Sequence, residues 1–148
     1  CIDALRFVLG EEVQTVSTVA RKEKDADRVE AVASLQMEMS GGVTANVTVS
    51  ARAPYRTLVE IVGSDGALVA ENGLTVDRPM EVRRLRGGEV VETVTVENGD
   101  GYSRMLDGFA QAFRGVGTFP ASGEDGVRNM RALDAAYKIW RTGLREAV

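Results

Sequence analysis

The 148-residue chain contains no histidine. That absence removes a Ser-His-Asp triad, most zinc sites and the usual general base near neutral pH from its own chemistry. Its one cysteine, Cys1, cannot close an internal disulfide. With no neighbouring base or cation to form a thiolate, it reads as an inert thiol rather than a nucleophile. No apolar run approaches the roughly 20 residues of a membrane-spanning helix, and the setting expected is cytoplasmic. Basic and acidic residues, 18 against 22, are mixed along the chain, so no footprint for nucleic acid or an anionic membrane stands out. Neither a GxGxxG nor a phosphate loop occurs. There is no initiator Met and no signal-peptide pattern at the start, and the chain opens directly into helical periodicity, as expected of a piece of something longer.

What is present is a core-forming pattern. Hydrophobic residues make up 44% of the chain, enough for one ordinary globular domain over residues 1–148. The organising stretch is residues 29–52. Ala31, Ala33, Leu35, Met37 and Met39 alternate with polar residues on the way in, and Val43, Ala45, Val47, Val49 and Ala51 alternate on the way out. A two-residue loop at Gly41-Gly42 would put the two apolar rows on opposite faces. A three-residue loop, Ser40-Gly41-Gly42, sets Met39 opposite Val43 and Leu35 opposite Val47 and unites them, with one glycine left-handed. The other face carries Glu30, Ser34, Gln36 and Glu38 beside Thr44, Asn46, Thr48, Ser50 and Arg52, and is expected to be wet or to meet a partner.

Around this hairpin the chain reads as a short apolar helix over residues 2–9 capped by Gly10, then a Val- and Thr-rich strand over residues 13–20. Strands follow over residues 58–62 and 67–70, a short segment at residues 74–76, and a hairpin of residues 82–85 and 90–96. From Tyr102 the period becomes helical, with Met105, Leu106, Phe109 and Phe113 on one face. After Pro120 a last helix should run to about Thr142. It starts at a Ser122/Asp125 capping box and buries Val127, Met130, Leu133, Ala136, Tyr137 and Trp140. The fold class expected is α+β: a largely antiparallel open sheet of about six or seven strands with helices on one face. The helices bearing Phe109, Phe113, Tyr137 and Trp140 are expected to cover the hairpin's apolar face.

Candidate chemistry is sparse. The glycines at 63–66 and 87–88 suit hairpin turns, and Arg83, Arg84 and Arg86, with Arg78 nearby, suit a solvated strand face because no aromatics interleave to stack bases. Asp107, Asp125 and Asp134 read as surface or capping charges. One constellation stands out. Ser50-Ala51-Arg52-Ala53-Pro54-Tyr55-Arg56 gathers a phenol, two guanidiniums and a hydroxyl between two strands, and arginine forks suit oxyanions or vicinal hydroxyls. The competing reading is an ordinary polar loop whose tyrosine packs on the edge.

Three stretches carry a family resemblance. Cys1-Ile2-Asp3-Ala4-Leu5-Arg6-Phe7-Val8-Leu9-Gly10, Val59-Glu60-Ile61-Val62-Gly63-Ser64-Asp65-Gly66-Ala67-Leu68, and the final helix with Ser122-Gly123-Glu124-Asp125-Gly126 and Leu133-Asp134-Ala135-Ala136-Tyr137 occur in that order. Together they resemble the C-terminal domain of the Gfo/Idh/MocA (glucose-fructose oxidoreductase and inositol 2-dehydrogenase) family. The resemblance implies the substrate-binding and oligomerisation domain of an NAD- or NADP-dependent oxidoreductase acting on a sugar, polyol or similar hydroxy compound. An N-terminal Rossmann domain outside these residues would carry the cofactor, and homo-oligomers would form through the open sheet face. A lysine of that domain and a histidine just before Cys1 would handle the hydroxyl proton, so no catalytic, cofactor-binding or metal residue is expected within the 148. Asp3, in the helix motif, and Arg52 and Tyr55, in the loop before the Gly-x-x-Gly strand, are implied as substrate-binding; a capping role for Asp3 is equally open. The alternative is a non-catalytic α+β ligand-binding or scaffolding module.

Overall fold

A computed structural model describes residues 1–24, 28–143 and 146–147. Its contacts fall into two compact units, Cys1–Pro54 with Ala121–Val148, and Tyr55–Pro120. The α+β class holds, but the single sheet of six or seven strands does not. Two antiparallel sheets are present among the described residues: one in the order β3 (Thr44–Ser50), β2 (Val32–Met39), β1 (Val13–Arg21), β8 (Glu146–Ala147), the other in the order β4 (Leu58–Gly63), β5 (Gly66–Glu71), β6 (Met80–Arg86), β7 (Glu89–Val96). The reason for the division lies just after the hairpin. The Ser50 hydroxyl accepts the N–H groups of both Arg52 and Ala53 at 3.1 Å, closing a turn, and Pro54 then has no N–H to donate. The chain leaves the first sheet there and pairs anew in the second.

The first unit contains α1 (Ile2–Leu9), β1 (Val13–Arg21), β2 (Val32–Met39), β3 (Thr44–Ser50), α3 (Gly123–Thr142) and the two-residue β8 (Glu146–Ala147). In the hairpin, Leu35 faces Val47 and Met37 faces Ala45, and the Met39 N–H donates to the Val43 carbonyl at 2.8 Å. The three-residue loop is therefore real, with Gly42 at φ 89°. Ala33, Leu35, Met37, Met39, Ala45 and Val47 are all buried on one face. The opposite row of Ser34, Gln36, Thr48 and Ser50 is exposed, and the Ser34 and Thr48 hydroxyls meet at 3.1 Å.

Gly10 caps α1 in the left-handed conformation as expected. Ser122 caps α3, its hydroxyl accepting the Asp125 N–H at 3.1 Å. The buried face of α3, however, is Ala132, Ala135, Ala136 and Ile139. Leu133, Tyr137 and Trp140 are half-buried, while Val127 and Met130 are exposed. Small alanines at positions three and four apart let the helix lie close to β1 and turn the bulkier residues to the flank.

The second unit is a four-stranded meander of β4 (Leu58–Gly63), β5 (Gly66–Glu71), β6 (Met80–Arg86) and β7 (Glu89–Val96), followed by α2 (Gly101–Phe113). Residues 74–76 form part of a turn rather than a strand. Asn72 adopts φ 58°, and both the N–H and the hydroxyl of Thr75 donate back to its carbonyl. The apolar stripe of α2, expected to face the hairpin, is exposed in its own unit, Phe109 by 56% and Phe113 by 85%. Phe109 meets Phe119 edge-on, with centroids 5.7 Å apart. Of the arginine cluster, Arg78, Arg84 and Arg86 are exposed and Arg83 is half-buried; Arg83 pairs with Glu71, Arg84 with Glu92 and Arg78 with Asp77. No described helix is long and apolar enough to cross a membrane.

Candidate functional site

The first unit holds a cleft of about 250 Å³ on the apolar face of its sheet. Ala33, Leu35, Val47 and Val49 make the floor, so the side chains that alternate inward on β2 and β3 also shape the site. Leu133, Ala136, Tyr137 and Trp140 of α3 make one wall, and Cys1, Ile2 and Asp3 at the start of α1 close one end. The wall exists because α3 packs through its alanines and leaves its aromatic flank standing over the sheet.

Glu30 is the polar centre of the cleft. The Tyr137 hydroxyl donates to its carboxylate, 2.9 Å from Oε2 and 3.2 Å from Oε1. That bond, with burial and the carboxylate's charge, raises the Tyr137 phenol above its ordinary value, against a smaller opposing influence of Arg141. Alternation places Glu30 on the wet face of the hairpin. It meets the helix side instead, from the residues just before β2 begins at Val32, although Ala31 keeps backbone hydrogen bonds to Arg21 and Ala51. Tyr137 and Trp140 lie with centroids 6.1 Å apart. Lys22 Nζ stands 5.9 Å from the indole, and the Arg141 guanidinium 5.8 Å from the phenol. Two further lining residues, Thr18 and Asn129, each have a buried oxygen with no hydrogen-bond partner among the described residues.

Asp3, implied by the resemblance, does line the cleft. Its Oδ1 also pairs with Arg6 Nη1 at 3.2 Å, while the α1 N-cap, Cys1, makes no side-chain capping bond. Arg52 and Tyr55 are not among the lining residues. Arg52 is paired with Glu23 in the first unit, and Tyr55, 72% exposed, opens the second. Ser50, the hydroxyl of that loop, is occupied by its turn.

Beside the cleft an arginine is buried that sequence reasoning passed over. Arg6, with only 4% of its side chain exposed, forks onto Glu12 through Nε at 2.7 Å and Nη2 at 3.1 Å, and reaches Asp125 Oδ1 at 2.6 Å. Arg128 bridges the same two carboxylates, at 2.8 Å and 3.5 Å. The guanidinium of Arg6 is held charged, above its already high ordinary value, and the Glu12 carboxyl is held below its own, first by the hydrogen bond to Arg6. Asp125 is thus an ion-pair partner as well as a capping-box residue. The signal was a lone arginine in an apolar helix, three residues after an aspartate. For Tyr137 the signal was a phenol on the buried side of a helix, which needs a partner for its hydroxyl. Among the described residues no group of three or more His, Cys, Asp or Glu side chains could hold a metal.

Comparison with known proteins places this geometry. The sequence profile of the GFO/IDH/MocA C-terminal domain matches residues 1–69. D-xylose 1-dehydrogenase (NADP(+)) 2 of Haloferax volcanii is 32% identical over 109 residues, 72% of this chain and 33% of that protein. Among solved structures, aldose-aldose oxidoreductase from Caulobacter crescentus superposes with a TM-score of 0.82 at 22% identity, over 99% of this chain and 44% of that one. KijD10, a 3-ketoreductase from Actinomadura kijaniata, superposes at 0.80 with 26% identity, over 93% and 42%. The chain therefore spans a third of the curated relative and less than half of each of these two structures. With the motif helix, the hairpin and the Gly-x-x-Gly turn all inside the matched residues, residues 1–69 are similar to the Gfo/Idh/MocA C-terminal domain, and the chain has the fold of the matching parts of these solved structures.

Proposed function

We propose that this chain is the substrate-binding and oligomerisation part of an NAD- or NADP-dependent oxidoreductase acting on a sugar, a polyol or a similar hydroxy compound. The observation that carries the reading is the family match over residues 1–69, which begins at the residues closing one end of the cleft. The relatives' names supply the class: a xylose dehydrogenase that uses NADP(+), an aldose-aldose oxidoreductase and a 3-ketoreductase in complex with NADP. The nicotinamide itself belongs elsewhere in the protein. The glycine-rich turns at 63–66 and 86–89 join antiparallel strands, whereas a dinucleotide cradle needs a strand, a glycine loop and a helix N-terminus in succession. When bound, the nicotinamide would exchange hydride with the substrate carbon. This chain's part is to hold the hydroxy compound in place, with Asp3 at the cleft as one candidate contact; Arg52 and Tyr55 are candidates by the family resemblance alone.

The exposed row of Ser34, Gln36, Thr48 and Ser50 supports a partly hydrated homo-oligomer contact, since polar faces associate well through bridging water. A strictly monomeric parent protein in sedimentation at micromolar concentration would remove that part of the reading. The main test is cofactor use. The natural protein carrying the upstream sequence should bind NAD or NADP saturably and reduce it when given an aldose or polyol. The 148 residues alone should unfold cooperatively at a temperature that millimolar NAD or NADP does not change. Absence of nicotinamide binding in the upstream-extended protein would sink the enzyme reading.

A further inference from the structure

In the second unit β7 is an edge strand. It hydrogen-bonds to β6 on one side, and no strand lies along its other side among the described residues. All eight of its residues are exposed, Val90, Val91, Val94 and Val96 by 38% to 50%. Edge strands of soluble proteins are ordinarily blunted by lysine, proline, shortness or a bulge. The sequence Glu-Val-Val-Glu-Thr-Val-Thr-Val holds no lysine and no proline, and six of its eight residues are of the β-branched kind that suits a strand. Its one irregularity lies near the hairpin turn, where Arg84 faces Glu92 and Leu85 faces Val90, leaving Val91 without an opposite number. Beyond that bulge residues 92–96 run in unbroken register with β6.

We infer that residues 92–96 of β7 pair with the same residues of a second copy of this chain, antiparallel about a two-fold axis at Val94, so that two four-stranded meanders become one eight-stranded sheet. The backbone restricts the register. Facing residues of an antiparallel ladder turn their N–H and C=O groups both toward each other or both away, and these directions alternate along a strand. The axis therefore passes beside a residue that faces its own counterpart, never between two residues. An axis at Glu92 would set two carboxylates opposite each other, which is destabilising. One at Thr93 runs the paired stretch into the bulge at Val91, and one at Thr95 runs it past the strand end at Val96. The axis at Val94 uses all five straight residues. Val94 then faces Val94, Thr93 faces Thr95, and Glu92 faces Val96 while its carboxylate stays with Arg84 at 2.9 Å. Val94 and Val96 share a face with Val82 and Met80, so the pairing carries one apolar face from copy to copy. A second copy fits this edge because the straight stretch is complementary to itself in shape and opposes no like charges. The polar row of Ser34, Gln36, Thr48 and Ser50 belongs to the first unit, so this contact is separate from the one proposed above and does not rest on the enzyme reading.

An edge contact of this length is small, so association is expected at high micromolar concentration. The 148-residue chain is followed by sedimentation equilibrium. Val94→Lys sets two ammonium groups against each other at the axis and should sediment with half the wild-type mass at the same concentration. Val94→Thr keeps a β-branched residue there and should associate as wild type does, and thermal unfolding checks that both variants fold. The register is read by cross-linking. Facing Cα atoms about 4.5 to 5.5 Å apart are within disulfide reach, so the double variant Cys1→Ser with Val94→Cys should become a covalent dimer on oxidation with diamide. Cys1→Ser with Val62→Cys, whose new thiol is on the exposed outer strand β4, should not. Wild-type protein that stays monomeric at high micromolar concentration, a wild-type mass for Val94→Lys, or cross-linking through Val62→Cys as fast as through Val94→Cys would overturn the inference. So would open-ended growth, the sign of β7 pairing with β4 of the next copy. None of these variants touches the first sheet or needs a cofactor, so the outcome is independent of the oxidoreductase reading, which is judged by nicotinamide binding.

Discussion

Arg6 Nη2 lies 2.6 Å from Asp125 Oδ1, an ion pair between residues 119 positions apart that joins the first helix to the first turn of the last. Breaking a wholly buried pair typically costs about 3 to 5 kcal/mol. Here Glu12 and Asp125 keep 44% and 26% of their side chains in contact with water and are less stranded by the loss. Arg6→Met, which keeps the apolar stem, should therefore destabilise by about 2 to 3 kcal/mol in urea unfolding. Arg6→Lys keeps the charge but not the fork and should lose about half as much. Wild-type stability in Arg6→Met would show the cluster to be energetically idle.

The same cluster makes the protein sensitive to acid. Arg6 holds the folded-state pKa of Glu12 below its usual value, so the carboxylate's contribution is fully present above the unfolded value of about 4.3 and is lost as pH falls through the folded value. Melting temperature should accordingly decline below about pH 4.3, and the decline should be shallower in Glu12→Gln. Identical pH profiles for the two proteins would contradict this assignment.

Tyr137 works in the opposite direction. Its phenol ionises above the ordinary value of 10.0, mainly because it donates to Glu30. The stabilisation is therefore whole below the unfolded value and disappears as pH rises through the folded one. Ultraviolet absorbance titration should show a component above that ordinary value which Tyr137→Phe removes and Glu30→Gln moves down. At neutral pH Tyr137→Phe should cost about 0.5 to 1.5 kcal/mol, the worth of one hydrogen bond. A titration curve indifferent to Glu30 would dissolve the pair.

For Arg52 and Tyr55 the expected effect is on catalysis rather than on folding. Tyr55 is exposed, and Arg52 has an exposed ion pair with Glu23 that adds little stability. In the oxidoreductase proposed above, Tyr55→Phe and Arg52→Ala should leave melting temperature nearly unchanged. If these groups touch substrate, kcat/KM should fall by the equivalent of about 0.5 to 3 kcal/mol. Wild-type kinetics in both variants would return the loop to a purely structural role.

What the sequence determined by itself was local. The alternation on either side of Ser40-Gly41-Gly42 has one register that puts both apolar rows together, and burial of those rows enforces it. Gly10 and Ser122 mark helix ends because a left-handed cap and a side-chain acceptor are properties of single residues. The three stretches that together carry the family resemblance are likewise contiguous patterns. Tertiary structure decided which long side chains are enclosed and by what. Arg6 is buried because Glu12 and Asp125, on other elements, converge on it. Glu30 meets α3 because the Tyr137 hydroxyl of that helix donates to it. The division into two sheets follows from where Pro54 and the Ser50 turn release the chain. Spacing along a chain specifies a face, but the partner on that face depends on how close another element can approach. Here the alanines of α3 set that distance against the sheet and left the space that became the cleft.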